Sequence, residues 1–180
     1  RILQPETVQV MHQPHFTYDP TLDGMTLGFM EGVFNDRRVL FHGGSTMLYN
    51  TGLYLIPEAN TGIFISYSGG NHLLHSEVFQ EFMNLYYPVE AADKPVPGPG
   101  SLARARDYAG EYQMNRKSVT TNQKITALLA GGIINVAVDN DGYLLVTSGG
   151  ATNRFAELTP GVYQNLGEGP SRDAFGRFHK

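Results

Sequence analysis

The seven residues Lys94-Pro-Val-Pro-Gly-Pro-Gly100 hold three prolines and two glycines, a composition that neither a helix interior nor a sheet ladder accepts. They divide the 180-residue chain into two pieces, each of which must bury its own apolar side chains. The expected organisation is therefore a first domain at 1–88, a linker at 89–103 and a second domain at 104–180. With 41% hydrophobic and 17% charged residues the chain can build cores, and 21 glycines favour strands and turns over long helices. Cysteine is absent, which excludes disulfides and thiolate chemistry and would leave a zinc site to histidines and carboxylates alone. A net charge of −4 without a Lys/Arg run gives nothing for nucleic acid to hold. No stretch approaches the roughly 18 apolar residues of a membrane span, and no signal peptide is present.

The first piece reads as two hairpins and a helix. Asn35-Asp36 makes a turn between Met25–Phe34 and Arg37–His42. A second hairpin joins Leu53–Ile56 to Gly62–Ser66. Leu73, Leu74, Val78, Phe79, Phe82, Met83 and Tyr86 then recur at helical spacing across His72–Tyr87, before Pro88. A helix directly after an antiparallel sheet packs back across it most simply. A short helix can open at Gln4-Pro5-Glu6, where proline suits a first turn. Beyond the linker the pattern is β again, with strands expected at Tyr108–Gln113, Ile134–Val138, Tyr143–Thr147, Arg154–Leu158, Val162–Asn165 and Ala174–Phe178, and a helical turn or two at Ile125–Ala130. The fold class expected is α+β: an antiparallel sheet with a C-terminal helix, plus a small all-β barrel-like domain.

Phe41-His42-Gly43-Gly44-Ser45 is the stretch most able to carry chemistry. Two glycines clear side chains from a strand edge, so another backbone can lie against it. His42 can hydrogen-bond an anionic or carbonyl group, and the Ser45 N–H can act as an oxyanion donor. The plainer reading, a Gly-Gly connection with an incidental histidine, stays open on spacing alone.

The order Gly28-Phe29, Arg38-Val-Leu-Phe-His42-Gly-Gly-Ser45 and Gly52-Leu-Tyr-Leu-Ile-Pro-Glu-Ala-Asn-Thr-Gly62 resembles the last third of the β-lactamase-related serine hydrolases, of the class C β-lactamase and penicillin-binding-protein type. Leu3-x-Pro-Glu-Thr and Pro20-x-Leu-x-Gly-Met25 are similar to that family as well. The resemblance implies a transpeptidase-like fold over 1–88 and acyl transfer on amide or ester bonds of β-lactams, D-amino-acid peptides or small esters. His42 and Gly44 would then stand in the catalytic wall with Ser45 as backbone oxyanion donor, and Gly43 and Thr46 would contact substrate. No cofactor is implied. Residues 104–180 resemble a lipocalin-like domain through Tyr108-Ala-Gly-Glu-Tyr112, Asp141-Gly142-x-Leu-Leu145 and Phe155-x-Glu-Leu-x-Pro-Gly-Val162-Tyr, with the completion of its barrel within these residues left open. Tyr108, Tyr112, Tyr143, Phe155, Tyr163, Phe175 and Phe178 would fill its interior, with the lining of a ligand pocket as the alternative.

The family's Ser-x-x-Lys motif is missing, since no serine here is followed three residues later by lysine, and Tyr163-Gln164-Asn165 lies in the wrong region for its Tyr-x-Asn. The chain is thus expected to be inactive alone, a segment of a longer protein whose N-terminal part supplies both motifs and is its partner, along with a small-molecule or peptide substrate. The resemblance also implies export to the periplasm or beyond. A non-catalytic ligand-binding or structural protein of the same fold is the alternative. His12-x-x-His15 and His72-x-x-His75 are expected to be solvated or capping rather than metal ligands. Arg104, Arg106, Arg116 and Lys117, interleaved with Asp107 and Glu111, read as a solvated face, and Asp139 and Asp141 as turn formers.

Overall fold

A computed structural model describes residues 2–17, 20, 22–46, 48–90, 93–113, 120–121, 133–167 and 175–177. It has two compact units, Arg1–Ala92 and Asp93–Lys180. Both are built on antiparallel sheets with helices, so the class is α+β. None of the described helices is long and apolar enough to cross a membrane.

In the first unit α1 (Pro5–His12) opens on its proline as expected. Four strands follow in sequence order, β1 (Met30–Phe34), β2 (Arg37–Ser45), β3 (Tyr49–Ile56) and β4 (Thr61–Ser68). Asn35 and Asp36 both take positive φ, 48° and 59°, the backbone that a two-residue hairpin with right-handed twist demands. The segment Met25–Phe29, expected as strand, is instead a tight turn: the Thr26 N–H bonds the Phe29 carbonyl and Gly28 has φ 89°. β1 is correspondingly short. β2 and β3 run longer than the apolar runs suggested, because Gly43, Gly44 and Gly52 carry the ladder on without side chains.

α2 (Leu74–Tyr86) lies on one face of this sheet. Phe79 and Met83 are fully buried against Val39, Tyr54 and Ile56, and the Phe79 ring stacks on Tyr54 at 4.0 Å and meets Phe34 edge-on at 5.3 Å. Burial of large apolar side chains of this kind is worth about 1.5–3 kcal/mol each. The opposite face is less covered: Phe64 is 68% exposed.

The second unit departs from expectation at both ends. Residues Ser101–Asp107 form a helix, α3, so the expected linker ends in helix and Tyr108 caps it rather than starting a strand. The strands β5 (Gly110–Gln113), β6 (Ile133–Val138), β7 (Leu144–Ser148), β8 (Ala151–Thr159), β9 (Val162–Asn165) and β10 (Phe175–Arg177) form one meander in sequence order. Among the described residues the sheet is open, with no pairing of β5 to β10, which corrects the barrel-like expectation. Closure requires two edge strands that can pair along a shared length, and these edges pair over only four and three residues. Tyr163, Leu144, Val136 and Ala105 make the core, with Tyr108, Tyr112 and Phe155 packed against it. Tyr143 instead lies under the Arg154 guanidinium, 3.6 Å from ring centroid to Cζ. Ile125–Ala130, Arg116, Lys117 and the side chains of Phe175 and Phe178 lie outside the described residues.

Arg106 and Asp107 are exposed and the Arg104 side chain is 38% exposed, as a solvated face requires, but Arg104 also has a buried partner. It holds the buried Glu157 carboxylate with Nε and Nη2, at 2.6 Å for the shortest contact. Burial pushes the Glu157 carboxyl up, but hydrogen bonds from Arg104, Ser101 and the Gly161 N–H, with the Arg104 charge, hold it below the usual glutamate range. A carboxyl lowered in the folded state stabilises that state above its unfolded pKa, and the contribution disappears as pH falls through the folded value. The second unit is therefore expected to lose melting temperature between pH 5 and pH 2, and Glu157→Gln to flatten that part of the profile. Thermal melts followed by near-UV circular dichroism check both.

Candidate active-site edge

Hydrogen bonding alternates along β2, and the turn fixes its phase. The Thr46 N–H donates to the Tyr49 carbonyl at 2.8 Å, and the same register puts Ser45 opposite Asn50, Gly44 opposite Thr51, Gly43 opposite Gly52 and His42 opposite Leu53. In an antiparallel pair, bonded and non-bonded positions alternate. His42 and Gly44 therefore turn their N–H and C=O groups toward β3, while Gly43 and Ser45 turn theirs away from it. β1 occupies that outer side only as far as Phe41, opposite Met30. Beyond it, among the described residues, no strand pairs with β2, and the Gly43 and Ser45 N–H groups form an open edge. Two parallel donors on a free edge can hold an oxyanion or a strand of ligand backbone.

Each residue of the expected site has a distinct setting. His42 is exposed, on the face away from α2, since side chains alternate and Phe41 packs on the α2 side. The Ser45 hydroxyl is spent inside the sheet, donating to the buried Asn50 Oδ1 at 2.7 Å. That leaves its N–H as the group available at the edge. The Thr46 hydroxyl closes the turn, donating to the Tyr49 carbonyl and accepting the Tyr49 N–H at 3.0 Å. Gly44 is exposed and its carbonyl accepts the Thr51 hydroxyl.

The residues that shape the other flank were not anticipated. The His75 imidazole lies against the Gly52 and Gly43 rung: a Cβ on Gly52 would sit 2.6 Å from Nδ1, and one on Gly43 3.6 Å from Cε1. The Tyr54 hydroxyl meets His75 Nδ1 at 2.6 Å and Ser76 Oγ at 3.1 Å. His75 is thus partly buried rather than fully solvated or a cap, because the missing glycine side chains admit its ring to the sheet. Burial lowers its pKa, aided by His72, and burial raises that of Tyr54. Placing the hairpin connection between Thr46 and Tyr49 would have paired Gly43 with Gly52 in the sequence; the hydrogen bond to Tyr54 had no sequence signal. His12 packs edge-on against Phe29, and His15 Nε2 contacts the Val10 carbonyl. No cluster of three or more potential metal ligands occurs among the described residues.

Comparison with known proteins returned no matching family model and no matching curated protein. Similar solved structures include the following three. A crystal structure of SurE with D-Leu matches at TM-score 0.51 and 18% identity, over 99% of this chain and 39% of that one. A second SurE structure matches at 0.49 and 18%, over 99% and 38%. The octameric penicillin-binding protein homologue from Pyrococcus abyssi matches at 0.39 and 16%, over 94% and 37%. The chain is similar to SurE in fold. It spans about two fifths of the length of these proteins.

This overturns the resemblance on which the sequence was assigned to the β-lactamase-related serine hydrolases with a lipocalin-like domain. Of these three, the one above TM-score 0.5 is a SurE structure, which is not described as a β-lactamase, a penicillin-binding protein or a lipocalin. The order hairpin, hairpin, helix follows from apolar periodicity and turn chemistry, and a Gly-Gly strand end needs only an open edge. Neither feature is particular to one family.

Proposed function

We propose that this chain forms one wall of an acyl-transfer site that hydrolyses amide or ester bonds, with β2 as its docking and oxyanion strand. The observation that carries the reading is the open edge, where the Gly43 and Ser45 N–H groups leave the sheet side by side beyond the end of β1. His42 stands on one face of that edge, free to orient or neutralise a developing charge. The D-Leu in the SurE structure favours a substrate with a D-amino-acid residue, in an amide or ester. The nucleophile and its base come from protein beyond residues 1–180, in keeping with the 39% coverage of SurE.

The test is a burst experiment on the gene product that includes these residues, with N-acetyl-D-leucine p-nitrophenyl ester as substrate. A stoichiometric burst is expected, with an acyl adduct that mass spectrometry maps outside residues 1–180. His42→Ala is expected to slow the burst about 10-fold or more, as loss of a single charge-stabilising contact. An adduct within residues 1–180, or none, would overturn the reading. A ligand-binding protein without catalysis is favoured by the Ser45 hydroxyl being held by Asn50 Oδ1, and predicts that the ester binds with no adduct.

A further inference from the structure

We infer that His75 is a specificity-determining donor for the β2 edge, presenting its Nε2–H to a carbonyl or carboxylate oxygen of the ligand. The inference rests on the reading of β2 as the docking strand and adds a third donor to it, from a helix that the edge geometry alone does not involve.

The orientation of the ring follows from what surrounds it. Nδ1 and Cγ lie over Gly52, at 2.6 and 2.8 Å from the position of a Cβ there. Cε1 and Nε2 lie over Gly43, at 3.6 and 3.8 Å from the corresponding position. The imidazole therefore spans from β3 to β2, with its Nε2 end on the side of the open edge. Gly43 and Gly52 are register partners, so a single rung lacking both side chains makes the bay that holds the ring.

The proton on that ring is placed by its other nitrogen. Two hydroxyls converge on Nδ1, Tyr54 Oη at 2.6 Å and Ser76 Oγ at 3.3 Å. Each has a proton to give, and a phenol is a better donor than acceptor, so Nδ1 accepts and the proton of the neutral ring resides on Nε2. Tyr54 is itself immobile, buried and stacked on Phe79. Burial favours the uncharged ring. The described residues offer Nε2 no hydrogen-bond acceptor. A ligand strand along Gly43–Ser45 would thus meet the backbone donors at the edge, His42 on one face and His75 on the other.

Two NMR measurements on the gene product that includes these residues test this. In the first, the ¹⁵N shifts of the His75 ring at neutral pH are expected to show protonated Nε2 and acceptor Nδ1; the opposite tautomer would overturn the inference without any ligand. In the second, N-acetyl-D-leucine and N-acetyl-D-leucinamide are titrated in parallel. The Gly43 and Ser45 amides are expected to shift with saturation, and His75→Phe to weaken binding about 5- to 10-fold, the range for loss of one hydrogen bond. Loss for the acid alone assigns the acceptor as the carboxylate, and equal loss for both assigns it as a carbonyl. Tyr54→Phe, which keeps the stack but frees Nδ1, is expected to weaken binding by a smaller factor and serves if His75→Phe does not fold. Unchanged affinity in both variants would overturn the role of His75 while leaving the edge intact. Silent Gly43 and Ser45 amides would instead remove the docking strand itself, and the inference with it.

Discussion

Ser45→Pro in the full-length protein is expected to lower the acyl-transfer rate about 100- to 1,000-fold while leaving the fold in place. The substitution is selective because of the phase of the β2 ladder. Ser45 lies opposite Asn50 at a non-bonded position, one step before the Thr46–Tyr49 bond, so its N–H takes no part in pairing with β3. Proline at an edge position whose N–H faces outward is tolerated, and Gly44 before it is already extended strand. What is lost is the donor at the open edge.

Two further variants keep the reading of that result unambiguous. Ser45→Ala retains the N–H but removes the hydroxyl from Asn50 Oδ1, so it is expected to cost about 1 kcal/mol of stability and little rate. Gly44→Pro sits one residue earlier, where the N–H faces Thr51 in the ladder, and is expected to break the hairpin. A rate loss in Ser45→Pro equal to that in Ser45→Ala would remove the Ser45 N–H from the oxyanion role. Steady-state kinetics beside amide hydrogen exchange of β2 and β3 separates these outcomes.

The first unit was legible in the sequence because its signals are local. Asn35-Asp36 dictates a turn with positive φ, and the helical spacing of Phe79, Phe82 and Met83 dictates which face of α2 is buried. The candidate edge was legible only in part. His42-Gly43-Gly44-Ser45 could be located, but whether the Ser45 N–H points in or out depends on the phase of hydrogen bonding, set by the Thr46–Tyr49 bond, and the residues between Thr46 and Tyr49 include no Gly, Pro, Asn or Asp. His75 was misread for a related reason: its half-buried state depends on Gly52 and Tyr54, 23 and 21 residues away in a different element. In the second unit, Ser101–Asp107 lacked any apolar period long enough to announce a helix, and its anchor is the long-range pair Arg104–Glu157. The family resemblance failed at another level. Element order and a glycine-rich strand end are set by general physics, and fold-level likeness does not fix function.

Phe79→Ala is expected to destabilise the first unit by about 3–5 kcal/mol, the range for removing a fully buried aromatic ring. Phe79 is fully inaccessible, stacks on Tyr54 at 4.0 Å and meets Phe34 edge-on, so the cavity opens where α2 is held to the sheet. Neighbours cannot collapse into it cheaply. Tyr54 is tied through its hydroxyl to His75 and Ser76, and Phe34 is fixed beside the Asn35-Asp36 turn. The loss should therefore reach the site as well as the core. With the Tyr54 stack gone, the His75 ring is no longer held over the Gly43–Gly52 rung, and ligand affinity at the edge should fall in a protein still folded at low temperature. Urea denaturation followed on residues of the first unit measures the first effect, since the two units need not unfold together. The ¹⁵N shifts of the His75 ring measure the second. A variant that loses stability but keeps the Nδ1-acceptor signature would show that Tyr54 and His75 hold each other without the stack, and that the core supports the fold but not the donor.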